Sequence, residues 1–159
     1  MPPRLTFSFY GDAQIDRSLA RFADTVGDAR PAWEAMAERF ARTNRRQFAT
    51  EGRHASGGWA PLSPRYAEWK AEHYPGKPIL EREGNLVESL TRRPFGVEVI
   101  EPDRMVLGTD VRSPEGYPYA EAHQHGTGRM PQRRPVELRE QERREWIKLL
   151  QRYIVTGKV

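Results

Sequence analysis

Two histidines one residue apart, His123 and His125, sit in the stretch YAEAHQHGTGRMPQRRP between Tyr119 and Pro135, in a chain that has only 4 histidines. On extended backbone both rings would face one side, as zinc or iron ligands must to share an ion, and Glu121 is close enough in sequence to join them. On a helix, residues two apart point about 200° from each other, and YAEAHQ has helical composition. A third ligand would have to be His54, His73 or a distant carboxylate, and none stands in a recognisable metal motif. A metal-dependent hydrolase using His123, His125 and an acid is therefore a rival reading. The following GTG, with Arg129, Arg133 and Arg134, could cradle a phosphate, since glycines let backbone N–H groups approach an anion and arginine pairs with it bidentately. Neither Walker nor dinucleotide spacing is present, and a plain turn explains it as well. No G-x-S-x-G elbow occurs, and the paired carboxylates Glu81 and Glu83 fit solvent exposure as readily as acid–base work. No catalytic residue, cofactor or metal is expected, and the chain reads as something other than an enzyme.

Composition narrows the classes further. A chain of 159 residues suits one domain, 1–159, with one core. Charged residues make up 30% and apolar ones 37%, a polar balance suited to surfaces that meet partners, while the 10% of aromatic residues argue against disorder throughout. The absence of cysteine excludes disulfides and thiolate metal sites and fits assembly in a reducing cytosol. No run approaches the roughly 18 apolar residues of a membrane helix, so a soluble protein is expected. The net charge of +4 permits contact with nucleic acid or acidic protein, but Lys and Arg alternate with Asp and Glu, the pattern of a solvated surface. A DNA-binding module using Arg42 to Arg46 and Arg139 to Arg144 is a second rival; its binding would weaken steeply with salt.

The elements that must position these residues follow from periodicity. Leu5, Phe7 and Phe9 alternate with polar residues, which predicts a strand over residues 4–10 ended by Gly11. Asp12 can cap a helix with the apolar stripe Ile15, Leu19, Phe22 and Val26, which Gly27 ends. Pro31 opens a second helix, with Trp33, Met36, Ala37, Phe40 and Ala41 on one face and a basic face opposite. EGRHASGGWAP, residues 51–61, is a flexible Gly-rich loop within the domain, and its Trp59 either plugs the core, the favoured reading, or meets a partner. Ser63 and Pro64 restart a helix expected to turn Tyr66, Trp69 and the stem of Lys70 inward. A short helix around Leu86, Val87 and Leu90 precedes a hairpin, in which Phe95, Val97 and Val99 alternate, EPDR turns and MVLGT returns. The last helix is expected from about Val136 to Val155, with Trp146, Leu149, Leu150 and Tyr153 inward and a polar first half projecting or docked on charge. The sum is an α+β fold: a small antiparallel sheet packed with several helices, including long N-terminal helices and a C-terminal one.

Taken in order, WAPLSPRYAEWK, PILEREGNLVESL, a hairpin ending in VLGTD, YAEAHQHG and MPQRRP resemble the phage virion morphogenesis family, which includes tail-completion proteins. The matching residues are Trp59, Pro61, Leu62 and Lys70; Ile79, Leu80, Gly84, Leu86 and Ser89; Tyr119, Ala120, His123, Gln124 and Gly126; and Met130, Pro131, Arg133 or Arg134, and Pro135. The resemblance covers about residues 40 to 155. Glu83 replaces the usual threonine, and two arginines stand where one is usual. Neither departure touches the fold.

The resemblance implies a structural virion protein of a long-tailed bacteriophage or prophage, acting in tail completion and head–tail joining at the neck or head-proximal tail end. It implies a homo-oligomeric ring, commonly sixfold, beside connector, stopper, tail terminator or tail tube, with passing contact with genomic DNA and no membrane. The place implied is the virion, after assembly in the bacterial host cytoplasm. Candidate partner contacts are Trp59, Arg129, Arg133, Arg134, Arg143 and Arg144. On this reading Tyr119 and His123 pack and hydrogen-bond inward from one helical face, and Gly126 and Gly128 release an extended segment beside the hairpin. Arg133 and Arg134 then point to acidic groups of a neighbour.

Overall fold

The computed structural model describes residues 13–159. The strand expected over residues 4–10 and the cap expected at Asp12 lie outside the described residues. The order is α1 (Ala13–Gly27), α2 (Arg30–Ala49), α3 (Pro64–His73), α4 (Asn85–Thr91), β1 (Val97–Ile100), β2 (Met105–Gly108), α5 (Tyr119–His125) and α6 (Glu140–Thr156). This is the α+β arrangement, mostly helical, with one antiparallel hairpin. Val97 faces Gly108 and Ile100 faces Met105, and the EPDR turn closes with Glu101 N donating to Arg104 O at 2.8 Å.

Helix α2 is the central strut. Its buried Ala37, Phe40, Ala41 and Phe48 meet Leu86 and Leu90 of α4, with Trp59, Phe95 and Ala120 completing the cluster. The Phe40 and Phe95 rings meet edge to face at 5.1 Å. Each such side chain contributes roughly 1.5–3 kcal/mol through its burial. A second cluster joins Ala32 and Met36 to Leu149 and Tyr153 of α6. The polar residues on the buried side of α2 bind other segments: Asn44 Nδ2 donates to Leu90 O at 3.1 Å, and Gln47 Nε2 donates to Arg134 O at 3.1 Å. Arg93 is half-buried in a carboxylate cage, 2.7 Å from Glu34, 3.3 Å from Glu38 and in contact with Glu98, whose hydrogen bonds raise its pKa.

Two expectations are corrected, in α3 and in the last helix. On α1, Phe22 is 49% exposed and Val26 53%, and the helix touches α6 through buried Thr25, whose hydroxyl donates to Ile154 O at 2.8 Å. In α3, Lys70 is buried as expected, its ammonium donating to Pro78 O, while Tyr66 and Trp69 stay exposed. The last helix starts at Glu140, about one turn later than expected, since the chain bends at Pro135 and Val136 and Arg139 is still extended.

Candidate functional site

Seven of the motif residues, drawn from three distant segments, line one cleft of about 530 Å³: Leu62, Lys70, Leu80, Gly84, Leu86, Tyr119 and His123. Helix α3 forms one wall, the loop before α4 the floor, and the 112–119 loop with α5 the opposite wall. Lys70, only 5% exposed, sets the distance between wall and floor by donating to Pro78 O. Burial lowers its pKa, partly offset by Glu81 and Glu51. Glu51 also accepts a hydrogen bond from Ile79 N at 2.8 Å. Thus the Gly-rich loop and the cleft floor are held by one carboxylate.

Leu80 occupies the left-handed region, φ 64°, and Gly84 does so at φ 98°. For glycine that conformation is free; for leucine it costs about 1–3 kcal/mol and persists only where the surroundings impose it. The strain places Leu80 on the cleft floor. Tyr66, which lines the cleft, stacks on Trp69, and Trp69 on His73, along α3 with centroids 5.5 and 4.7 Å apart.

Behind the cleft runs the clasp, residues 126–135. Gly126 has φ 75°, and a Cβ there would lie 3.0 Å from Gln132 N, so the chain can reverse only with glycine. Thr127 and Met130 form a bridge. Gln124 then grips the returning chain with both ends of its amide, donating to Val136 O at 2.9 Å and accepting from Val136 N at 3.2 Å. Arg133 N donates to His123 O at 2.9 Å. The segment packs against α2, α5 and the 59–61 loop, where it was expected to follow the hairpin; its hydrogen-bond partners among the described residues lie there.

The structure separates the two arginines. Within the single chain Arg133 is 5% exposed, and its guanidinium donates to Ala60 O at 2.7 Å and Pro61 O at 2.8 Å. Two carbonyls in an enclosed turn need donors, and the fork of arginine supplies them; burial lowers its pKa. Arg134 is exposed and pairs with Glu137 at 2.9 Å, while its carbonyl accepts from the Trp59 indole at 2.9 Å. Trp59 is therefore a plug, 8% exposed and edge to face with Phe48 at 5.3 Å, so its side chain is not presented at the surface of the single chain. Arg129, Arg143 and Arg144 are exposed, Arg144 pairing with Glu140 at 3.0 Å. Pro131 is exposed and Pro135 fully buried.

His123 and His125 are placed on a helix, and the backbone turns them apart: His123 lines the cleft and His125 is exposed. Burial, assisted by the Arg133 charge, lowers the pKa of His123 to about 4, which keeps it neutral at pH 7. Among the described residues, no group of three or more His, Cys, Asp or Glu is placed to hold a metal ion. Sequence reasoning missed another polar centre. His54 Nε2 lies 2.8 Å from Glu142 Oε1, which also accepts from Thr43 Oγ1 at 3.0 Å, while Arg139 N donates to Glu142 Oε2 at 2.9 Å. Burial raises the pKa of Glu142, and these hydrogen bonds outweigh it, leaving the carboxyl below its usual range. No spacing signal joins residues so far apart; only the low apolar content of the first half of α6 hinted at polar docking.

The cleft is lined by the apolar and aromatic Leu62, Tyr66, Leu80, Leu86 and Tyr119 beside the charged Glu81, Arg82 and Glu83, with Lys70 held by Pro78 O, Arg82 paired with Glu83 and His123 neutral. The chain belongs to the phage virion morphogenesis family, whose model matches residues 11–154. No curated protein and no solved structure matches it. It is a virion structural or assembly protein, which implies contact with other virion proteins. No helix among the described residues is long and apolar enough to cross a membrane.

Proposed function

We propose that the chain forms a homo-oligomeric ring, commonly sixfold in organisation, at the neck or head-proximal tail end of a long-tailed phage. There it completes the tail and joins it to the head. The observation that carries this reading is the convergence of the family's separate motifs on one cleft and its clasp, in a chain of that family. These motif residues fix backbone turns and a shaped surface: Gly126 reverses the chain, Gln124 grips Val136 and Lys70 spans the floor. Such roles suit a subunit that must present one surface to many neighbours. Each copy in a closed ring offers two different surfaces, one to each side. The neighbours along the axis are connector, stopper, terminator or tube proteins, met through exposed groups such as Arg129, Arg134, Arg143 and Arg144.

The test is genetic and visual. A phage unable to make this chain should yield filled heads and separate tails by negative-stain microscopy, and a plasmid copy should restore joined particles. Normal joined, infectious particles without the chain would overturn the reading.

A further inference from the structure

We infer that the solvent face shared by α2 and α6 meets the phosphate backbone of duplex DNA; its place along the DNA path rests on the ring reading above. In sequence, arginine and glutamate alternate along α2, but the fold sorts them to two edges. Glu34 and Glu38 lie beside Arg93, 2.7 and 3.3 Å from its guanidinium. Arg39, Arg42 and Arg46, spaced three and four apart, form a stripe on another side, with Arg39 and Arg46 within about 60° of Thr43 round the helix. Thr43 bonds Glu142 of α6, and Ala32 and Met36 pack with Leu149 and Tyr153, so the two helices run antiparallel and the stripe borders α6. On α6, Lys148 and Arg152 are four apart and exposed, on the side away from Trp146, which packs on the core. At the end of that helix Arg152 lines a hollow with Arg21 of α1 and Lys158. The group Arg139 to Arg144, singled out in the sequence, is not part of this face: Arg139 and Arg144 lie against Glu142 and Glu140.

These seven cations are left without counter-ions. Elsewhere exposed arginines such as Arg82, Arg104 and Arg144 pair with a carboxylate close in sequence, whereas none of the seven is within ion-pair distance of one among the described residues. Glu38, one turn from Arg42, turns to Arg93 instead, and Asp28, in a hollow beside Arg21, is taken by Arg30. Glu145 and Asp24 remain as the opposing charges. Seven cations against two carboxylates leave an excess of 5, more than the net +4 of the whole chain, so the rest of the chain is slightly acidic. Arg39 to Arg46 spans about 10 Å of helix, and duplex DNA presents one charge per ~1.7 Å of its axis, so several phosphates lie within reach. A protein partner would call for aromatic anchors, and unpaired bases for aromatic platforms. The face offers neither among the described residues: Phe22 and Ile147 each lie about 100° of helical turn from the cation beside them, and Val155 and Val159 adjoin it only in the hollow with Arg21. Charge without stacking groups suits a backbone met irrespective of sequence.

The probe is a fluorescein-labelled duplex of about 20 base pairs and arbitrary sequence, titrated with the full chain by anisotropy between about 50 and 300 mM NaCl. The expected result is micromolar binding that falls steeply with salt, with a slope of about −4 to −6 in log K against log salt, as roughly five or six neutralised phosphates give. Arg42→Glu with Arg46→Glu, and Lys148→Glu with Arg152→Glu, should each weaken binding about 10-fold or more and flatten the slope by about 2. Circular dichroism should stay unchanged, since all four side chains are exposed. Arg65→Glu with Lys77→Glu makes the same change of charge on exposed cations of α3 and the loop after it, and should stay within about 3-fold of wild type. Sedimentation velocity on every protein reads ring formation separately. Wild type that forms rings without salt-dependent duplex binding, or an equal loss in the Arg65 and Lys77 variant, would overturn the inference and leave the ring reading standing. Rings lost in the α2 and α6 variants with duplex binding intact would make the face a contact between copies and overturn it too. Wild type that sediments as a monomer yet binds duplex through this face would overturn the ring reading and leave the face assigned.

Discussion

Replacing Trp59 by alanine separates a core plug from a partner anchor. The indole is 8% exposed, lies 5.3 Å from the Phe48 ring and donates to Arg134 O at 2.9 Å. Deleting a side chain so enclosed costs about 3–5 kcal/mol, the sum of lost transfer energy and the cavity left behind. In a domain of this size that lowers Tm by about 8–15 °C. Trp59→Phe keeps most of the volume and loses the hydrogen bond, but Arg134 O retains its bond from Gln47, so about 1–2 kcal/mol is expected. The surroundings permit little relaxation: a Cβ on Gly52 would already sit 2.5 Å from Trp59 Cδ1. Thermal melts followed by far-ultraviolet circular dichroism of wild type and both variants, with head–tail joining scored in parallel, give the answer. A Trp59→Ala protein that melts within about 1 °C of wild type and yet fails in joining would refute the plug and make Trp59 a contact residue.

Arg133→Ala should cost about 2 kcal/mol or more, because two enclosed carbonyls lose their donors, whereas Arg134→Glu should stay within about 1 kcal/mol of wild type; urea midpoints decide, and equal effects would contradict the assignment. Stability should fall as pH drops from 6.5 to 4, since unfolded His123 takes up a proton near 6.5 and folded His123 only near 4. That difference corresponds to roughly 3 kcal/mol, reduced to about 1–2 kcal/mol by solvent screening of a partly covered ring, and His123→Gln should flatten this part of the urea–pH profile. Gly126→Ala should cost about 1–3 kcal/mol, as φ 75° strains alanine and its Cβ meets Gln132 N at 3.0 Å; an unchanged melt would mean the clasp turn is not held as described.

Much of the architecture was legible because it repeats at short range. The face Met36, Ala37, Phe40 and Ala41, the alternation of Val97 and Val99, and the turn at Pro102 each declare themselves within a few residues. What escaped was set by contacts between distant segments. Nothing near Lys70 tells that its ammonium will bond Pro78 O, or that Tyr66 and Trp69 will stay exposed. Arg133 and Arg134 are identical in type and adjacent, and only the enclosed carbonyls of Ala60 and Pro61 distinguish the buried one from the exposed one. The helix α1 was legible from its periodicity, but amphipathicity does not say how far a side chain such as Phe22 or Val26 is covered, and both are exposed. The motif residues were recognisable as a set, yet their meeting in one cleft depends on α3, α4 and α5 packing around α2.

The central claim is that this chain acts as shaped material present in several copies, at the junction of head and tail. A cryo-electron microscopy reconstruction of the neck of purified virions tests it most directly. The account predicts a closed ring of identical subunits into which this fold fits. Density for the junction fully explained by other proteins, with this chain absent from the particle, would contradict it.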